Sequence, residues 1–483
     1  MFRPRADRPS PDGAIATVTE NEGQKRTIIV GGGVSGLAAA YELCQQSAPF
    51  TLLEARSRLG GLIRTEQAGG FVLDAGPDSL LVQKPGALDL CRDLGLTDRL
   101  ISTLTPRTAY VLADRLHRLP ANSVLGIPTS IAPWLTTGLI SPLGKLRMAL
   151  EPLVSPGGAD DESVGAFFRR RLGEEVVERV AEPLLAGIHA GDVERLSLRA
   201  LFPRLATAEQ TMGSLIRAMR HARARTPPAP DGLFRSLPGG IEELVTALRE
   251  ALPAPSIRYN AQVSRIEGRA PFRVILADGE VLEAEALVLA TPAYAVADMV
   301  RALDPELATL CAGVPYMSTA TVLLAYSSSA VRRPKTGSGF VVPRVQRDTR
   351  LMAGSWVTSK WPGRAPPGQI LVRGFLGGAR DPNVLERDDD TLRAETHDTF
   401  ARLLGIDRQP GLSRVYRWPR AMAQHEVGHL ARVNTVERRL AGWPGLFLAG
   451  AGFRVSGIPD CITDGRTTAK AVLSWHGEQF TDN

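Results

Sequence analysis

Apolar positions in this chain come in short runs, and most of the runs stop at glycine. Thr27-Ile28-Ile29-Val30 is β-branched throughout, which predicts a buried strand. Gly31, Gly33 and Gly36 follow directly, and residues 37–43 carry helical character. Phe50-Thr51-Leu52-Leu53 predicts a second strand, ending at Glu54 and Ala55. Residues 86–100 read as a helix ending near Gly95, and residues 110–112 and 116–119 as a hairpin around Asp114-Arg115. A helical region begins at residues 161–172 and runs on through 174–185; a further helix covers 241–251. Residues 258–266 and 272–276 read as paired strands closed by Asp278-Gly279. Residues 287–292 form a buried strand running into a loop, and strands alternate with turns over 319–375. Residues 446–452 repeat the opening pattern, a buried strand entering a glycine turn, followed by a helix over 465–475. The two ends of the chain are thus expected to meet at one ligand, with the middle supplying a second lobe.

Residues 123–154 are apolar but broken by Pro128, Pro133, Pro142 and Gly144. They fit short core helices, helices around a pocket, or helices resting on a membrane surface. The Arg169-Arg170-Arg171 cluster reads as a solvated face. No apolar run reaches the roughly 18–20 residues that a spanning helix needs. Residues 1–24 are polar, lack an apolar signal core, and read as a disordered tail.

Composition narrows the picture only slightly. The 483 residues suffice for two or three lobes, and 44% hydrophobic with 22% charged content is ordinary for a globular protein. A net charge of +6 suits an anionic substrate or a membrane surface. There is no arginine-rich tract with interleaved aromatics, so no nucleic-acid partner is expected. Cys44, Cys91, Cys311 and Cys461 are scattered without a C-x-x-C pair, which predicts a reduced, cytoplasmic setting.

Candidate chemistry begins at the first glycines. In G-x-G-x-x-G spacing between strand and helix, they permit a tight turn, close backbone approach to a diphosphate and close helix–strand packing. The diphosphate would lie on the helix N-terminus, and Glu54 stands where a carboxylate meets a ribose hydroxyl. Arg58-Leu59-Gly60-Gly61 just beyond the acid resembles the R-x-G-G turn of the flavin-containing amine oxidase superfamily, which implies FAD rather than a nicotinamide.

From residue 25 to 473 the chain resembles the FAD-dependent porphyrinogen oxidases of haem synthesis. The likeness rests on residues 182–192 (EPLLAGIHAGD) with Leu196-Ser197, on residues 337–343 (GSGFVVP), on Gly378-Ala379-Arg380, and on residues 457–462 (GIPDCI). Gly126-Ile127-Pro128-Thr129 and Phe167-Phe168-Arg169-Arg170-Arg171 are similar to the Gram-positive-type branch, which acts on coproporphyrinogen III. Arg107 instead matches the protoporphyrinogen-type branch, where an arginine meets a substrate propionate. His189 stands where the family carries Tyr or Phe, and Ala423 and His425 replace a Pro and a Tyr.

The resemblance implies an α/β chain, α+β overall: a Rossmann-like FAD-binding domain, a mixed-sheet substrate domain and an inserted helical domain. After the tail, the FAD-binding domain would take residues 25–105, 229–300 and 439–478, and the substrate domain 106–119 and 301–438. The helical domain, membrane-facing in one reading, would take 120–228. Gly31, Gly32, Gly33, Val34, Ser35 and Gly36, with Glu54 and Ala55, would hold diphosphate and ribose. Arg58, Gly60, Gly61, Leu62, Gly76, Pro77, Asp78 and Ser79 would line the flavin, Val263 would meet the adenine through its backbone, and Ala451, Ser456, Gly457 and Ile458 would close over the ring system. Arg107 would bind a substrate carboxylate, Val341 and Phe375 would sandwich the tetrapyrrole, and Gly187 and Gly191 would let it approach the flavin. His189 is the one acid/base candidate.

The implied reaction is a six-electron oxidation of a porphyrinogen by dioxygen, with hydrogen peroxide released. Coproporphyrinogen III is the expected substrate and protoporphyrinogen IX the alternative. A flavin as acceptor explains why no nucleophile, triad or metal centre accompanies these motifs. The expected partners are an anionic tetrapyrrole, dioxygen, a membrane surface touched peripherally, and the next enzyme of haem synthesis. An amine oxidase or carotenoid-type desaturase would share the N-terminal motif but not residues 190–192 or 459–461. One rival class is written in the sequence: His425-Glu426-Val427-Gly428-His429 matches the H-E-x-x-H of zinc hydrolases, although Gly428 weakens the helix this motif needs, and Arg432 and Thr435 occupy positions of its extended form.

Overall fold

The computed structural model describes residues 26–105, 108–120, 123–124, 127–129, 132–158, 160–225 and 231–478. The expected N-terminal tail, the proline-rich stretch 227–230 and Arg107 lie outside these residues.

Two sheets organise the molecule. The first is wholly parallel, with strands in the order Ile257–Arg258, Phe50–Leu53, Thr27–Val30, Ala286–Leu289, Leu446–Leu448. Parallel strands are covered on both faces and so read as continuous apolar runs. Ile29, Leu52 and Val288 point to one side and pack with the helices Val34–Gln45, Glu242–Ala251 and Ile458–Glu478, while Ile28, Val30 and Leu287 face a second core beneath the hairpin strands of residues 263–284. Fully burying one such side chain contributes about 1.5–3 kcal/mol. The second sheet is mixed and seven-stranded, ordered Leu412–Ala423, Tyr316–Ser327, Gln369–Gly377, Ala353–Ser355, Gly339–Val341, Ala109–Leu112, Leu116–Arg118. Its one parallel pairing, between Gly339–Val341 and Ala109–Leu112, joins segments more than two hundred residues apart.

Between the first strands of the two sheets and their later ones lies a helical insert. Its core gathers Trp134, Phe167, Phe168, Val180 and Leu185, all with 0% exposure. Most of residues 174–189 is not an ordinary helix: Val177–Ala186 is a π-helix carrying Pro183, followed by a single α-turn at Gly187–His189.

Several expectations are corrected. The Arg169–Arg171 cluster is not a solvated face, because Arg171 is fully buried against a fully buried Glu151. The Glu151 carboxylate also accepts from the Leu215 and Ile216 backbone N–H groups, capping the helix Leu215–Arg225. Arg170 pairs with Glu162 and Glu209. The Asp278-Gly279 turn closes Phe272–Leu276 onto Val281–Ala284, and not onto the strand before it. Ile257–Arg258 leaves that hairpin to join the parallel sheet. The last helix starts at Ile458, seven residues before Gly465, because Gly465 sits inside it where the backbone of Ser35 approaches. Among the described residues, no helix is long and apolar enough to cross a membrane.

Candidate active site

The first glycine turn is built by contact on three sides and left open on the fourth. A Cβ on Gly36 would lie 1.9 Å from the Gly31 carbonyl oxygen, and one on Gly31 would lie 2.8 Å from that of Ala290. Gly31 also takes φ +107°, a conformation that favours glycine. A Cβ on Gly32 would strike Leu59 and the Glu54 carboxylate. Gly33 differs: a Cβ there would meet nothing within 4 Å. Gly33 caps the helix Val34–Gln45 without any side-chain partner, so free N–H groups at the positive end of that helix face the opening.

The R-x-G-G turn lies directly against it. Gly60 donates to the Gly32 carbonyl at 2.8 Å, and the Gly33 Cα is the sole atom near a Cβ on Gly61, at 3.3 Å. Arg58 holds this turn from within, donating to the carbonyls of Leu59, Gly61 and Ile63. Glu54 accepts from Gly32 N–H at 2.8 Å through Oε2 and from Arg56 N–H at 2.9 Å through Oε1, with Ala55 exposed beside it. Val263 is buried at the start of its strand.

The C-terminal helix brings its own turn to the same place. A Cβ on Gly465 would lie 2.1 Å from the Ser35 carbonyl oxygen, so the two helices cross almost in backbone contact. Gly450 donates to Asp464 at 2.7 Å, fixing the turn that leads to Ala451, which is exposed. Gly457 has φ +90° and open space around it, and Ser456 precedes the helix start at Ile458. On the opposite side, a Cβ on Gly76 would lie 2.0 Å from the Leu62 carbonyl oxygen, which stacks the segment 76–79 on the R-x-G-G turn.

Two residues there do work that their motif does not announce. The Asp78 carboxylate turns into the seven-stranded sheet, accepting from Lys360 Nζ at 2.8 Å and Trp361 Nε1 at 3.1 Å, while Ser79 donates to its Oδ1. Burial alone would raise its pKa, but Lys360 and Arg373 outweigh that and hold it far below the usual carboxylate range. Asp78 therefore braces the loop that carries the half-buried Gly76 and Pro77. Thr291, absent from the sequence reading, borders Gly31 and carries a buried hydroxyl with no protein partner. Its signal was the strand Ala286–Leu289 running into a loop beside the first glycine.

The open cradle at Gly33, the free helix N-terminus, the unpartnered Thr291 hydroxyl and the open space at Gly457 fit an extended dinucleotide whose diphosphate lies at Gly33. When bound, FAD would supply a two-electron acceptor through its flavin ring, while the Gly33 turn would hold its diphosphate.

On the side expected to take substrate, Gly187 faces Val341, whose Cγ1 lies 4.0 Å from a Cβ placed there, and Phe375 is half-buried two strands away in the same sheet as Val341. Gly191 does not border open space: a Cβ on it would meet Gln424 at 2.3 Å and Leu196 at 2.9 Å, so its glycine serves chain packing. His189 lies 3.5 Å from the Ser456 hydroxyl, edge-on to Phe202, and the π-helical segment is thereby carried to the C-terminal turn. Burial, then His425, then Lys84, push its pKa down to about 4, so the ring is neutral at ordinary pH.

The H-E-x-x-H segment is used differently from a zinc site. His425 and His429 stack with centroids 4.0 Å apart, and their Nε2–H groups donate to the carbonyls of Ala451 and Phe453 at 2.9 and 2.6 Å. Both ring nitrogens that would ligate zinc hold the C-terminal turn instead, and Glu426 pairs with Arg195. Helical geometry fails here because Gly428 adopts φ +89° and the helix begins only at His429. Among the described residues, no three metal-ligating side chains converge.

Residues 34–473 match the family of flavin containing amine oxidoreductases. The chain is 35% identical to the coproporphyrinogen III oxidase of Bacillus subtilis (strain 168), across 94% of this chain and 99% of that one. It is 33% identical to the coproporphyrinogen III oxidase of Staphylococcus aureus (strain NCTC 8325 / PS 47), across 93% and 99%. A crystal structure from Exiguobacterium sp. 255-15 assigned as a protoporphyrinogen oxidase superposes with a TM-score of 0.81 at 31% identity, over 93% of this chain and 98% of that one. The chain belongs to the flavin containing amine oxidoreductases and is an FAD-dependent oxidoreductase. Within that family, 93–94% of its length aligns with porphyrinogen oxidases.

Proposed function

We propose that the protein oxidises coproporphyrinogen III to coproporphyrin III with dioxygen, releasing hydrogen peroxide. The carrying observation is end-to-end similarity to coproporphyrinogen III oxidases, insert and substrate sheet included. Each turnover would remove six hydrogens from the porphyrinogen and reduce three dioxygen molecules to three hydrogen peroxide. The residues named here bind and orient. Val341 and Phe375 form the flat walls for the macrocycle, Gly187 leaves room beside Val341, and Arg107 takes a propionate. His189 is neutral and beside Ser456, so it can accept a proton through whichever ring nitrogen is free without first losing one. Protoporphyrinogen IX is the second reading, favoured by the match of Arg107 to that branch.

On this reading residues 25–105, 229–300 and 439–478 form the FAD-binding domain, a division supported by the parallel sheet drawing strands from all three. We propose too that the helical insert rests on a membrane surface. Leu143, Leu146, Leu150 and Leu153 are 45–78% exposed and recur at helical spacing over Pro142–Ala149 and Glu151–Leu153. Hand-over of product to the next haem-pathway enzyme belongs to the same reading.

The test offers coproporphyrinogen III and protoporphyrinogen IX in parallel. A higher kcat/KM for the four-carboxylate substrate supports the reading, and the reverse order transfers it to protoporphyrinogen IX. Arg107→Ala should raise KM about tenfold or more while FAD stays bound, since a lost charged hydrogen bond is worth about 1.5–3 kcal/mol. Unchanged kinetics would remove Arg107 from the site.

A further inference from the structure

Arg373 lies in the third strand of the seven-stranded sheet, two residues before Phe375 and therefore on the same face. It is 4% exposed. Its guanidinium donates to the carbonyls of Asp74 and Gly76 at 2.8 and 3.0 Å and approaches the Asp78 carboxylate at 3.5 Å. The carbon at its centre lies 4.5 Å from the centroid of the Phe375 ring. One side chain thus grips the backbone of the flavin-lining turn at its edge and presents a cationic plane to the aromatic ring on the substrate side.

We infer that Arg373 is a positioning residue that sets the Phe375 ring relative to the flavin-lining turn, and so fixes the distance between substrate wall and cofactor. This rests on the proposed function in taking Phe375 as a wall of the macrocycle site. The ring alone has few constraints, because Phe375 is half-buried and one side of it is the proposed pocket. A planar guanidinium held through Nη1 on two carbonyls, with Nη2 beside the Asp78 carboxylate, is restrained from turning, so it offers a set face, whereas a lysine would offer only a point charge. The turn is in turn held by Lys360 and Trp361 on Asp78 and by Trp418 Nε1 on the Ala75 carbonyl at 3.2 Å. These contacts keep the turn in place when Arg373 alone is changed, which separates its role from that of simple support.

The experiment is a double-mutant cycle on the FAD-loaded enzyme with Arg373→Met and Phe375→Leu. It is read both as kcat/KM for coproporphyrinogen III and as coproporphyrin III binding, followed by quenching of its fluorescence. Each single change should cost on the order of 10–100-fold in kcat/KM, mostly in KM, because small misplacement of a substrate wall is expensive. The double variant should be no more than about threefold worse than the poorer single variant, since contacting residues are not additive. Losses that multiply in both readouts would overturn the inference. If Arg373→Met loses FAD, Arg373→Lys keeps the cation beside Asp78. It should retain FAD and still raise KM, and wild-type behaviour there would equally overturn the inference. A wild-type enzyme that oxidises no porphyrinogen would sink the proposed function instead, which is a separate result.

Discussion

The cofactor half and the substrate half of this molecule are specified in different ways. Around Gly31, Gly33, Gly36, Gly60 and Gly61, the backbone itself is the recognition surface, and each glycine is demanded by a contact within 3.5 Å or by an opening. Such a surface is written in spacing. Around Val341, Phe375, His189 and Gly187, the proposed substrate surface is made by two strands and the short α-turn that follows the π-helix, far apart in sequence. Nothing in the spacing of those residues brings them together. The pairing of Gly339–Val341 with Ala353–Ser355, and of that strand with Gln369–Gly377, brings Val341 to Phe375, and packing of the α-turn places Gly187 beside Val341. A fixed ligand can be met by local backbone, while choice among similar substrates is left to side chains on a long-range scaffold.

The strongest way to break this contrast is at Gly36. Gly36→Ala places a Cβ 1.9 Å from the Gly31 carbonyl oxygen, a backbone atom that cannot step aside. The purified variant should carry no flavin, as seen by loss of its visible absorbance, while the fold of the substrate sheet persists by near-ultraviolet circular dichroism. Full flavin occupancy would show that the turn is more pliable than its contacts indicate.

In the insert, Glu151→Ala leaves the fully buried Arg171 with a weaker carboxylate, Glu209 at 3.3 Å, and uncaps Leu215–Arg225. Removing one partner of a buried pair costs about 3–5 kcal/mol. Limited proteolysis should cut within the insert first, with FAD retained; flavin loss in step with cleavage would tie the two halves together more tightly than described.

Acid offers a gentler separation. His189, His425 and His429 are all neutral because of burial, with pKa values depressed below 6.5 and, for His189 and His429, to about 4. The unfolded chain takes up these protons first, so their contribution is complete above about pH 6.5 and is lost as pH falls toward 4. His189 and His429 should each account for on the order of 1–3 kcal/mol, and His425 should act in the same direction, seen as a fall in Tm across that window. A Tm flat from pH 7 to 4.5 would contradict the burial of these rings. The triple change to Phe, Gln and Gln at 189, 425 and 429 should flatten the profile.

Four strands of the parallel sheet were legible because they are short apolar runs, and so was the glycine turn after the first, whereas Ile257–Arg258 was read into a hairpin. The Arg169–Arg171 cluster was misread because charge in sequence does not reveal a carboxylate, Glu151, waiting eighteen residues earlier in a dry core. Asp78 and Arg373 were opaque for the same reason, since their partners lie nearly three hundred residues away in sequence, at separations of 282 to 299. The H-E-x-x-H match was a rival that Gly428 already weakened in the sequence: in a left-handed conformation, it leaves the histidines stacked and bound to carbonyls. Chelation should accordingly leave activity within about twofold of the untreated enzyme, because a structural metal contributes only where its ligands converge. Activity that falls with chelator and returns with zinc would reverse that assignment.

The account turns on what the substrate half is shaped to hold. The direct measurement is aerobic incubation of the FAD-loaded protein with coproporphyrinogen III, following the rise of porphyrin fluorescence and hydrogen peroxide together. The account predicts coproporphyrin III with three peroxide molecules for each porphyrin formed. A flavin-loaded protein that leaves both coproporphyrinogen III and protoporphyrinogen IX at their spontaneous oxidation rates would contradict it.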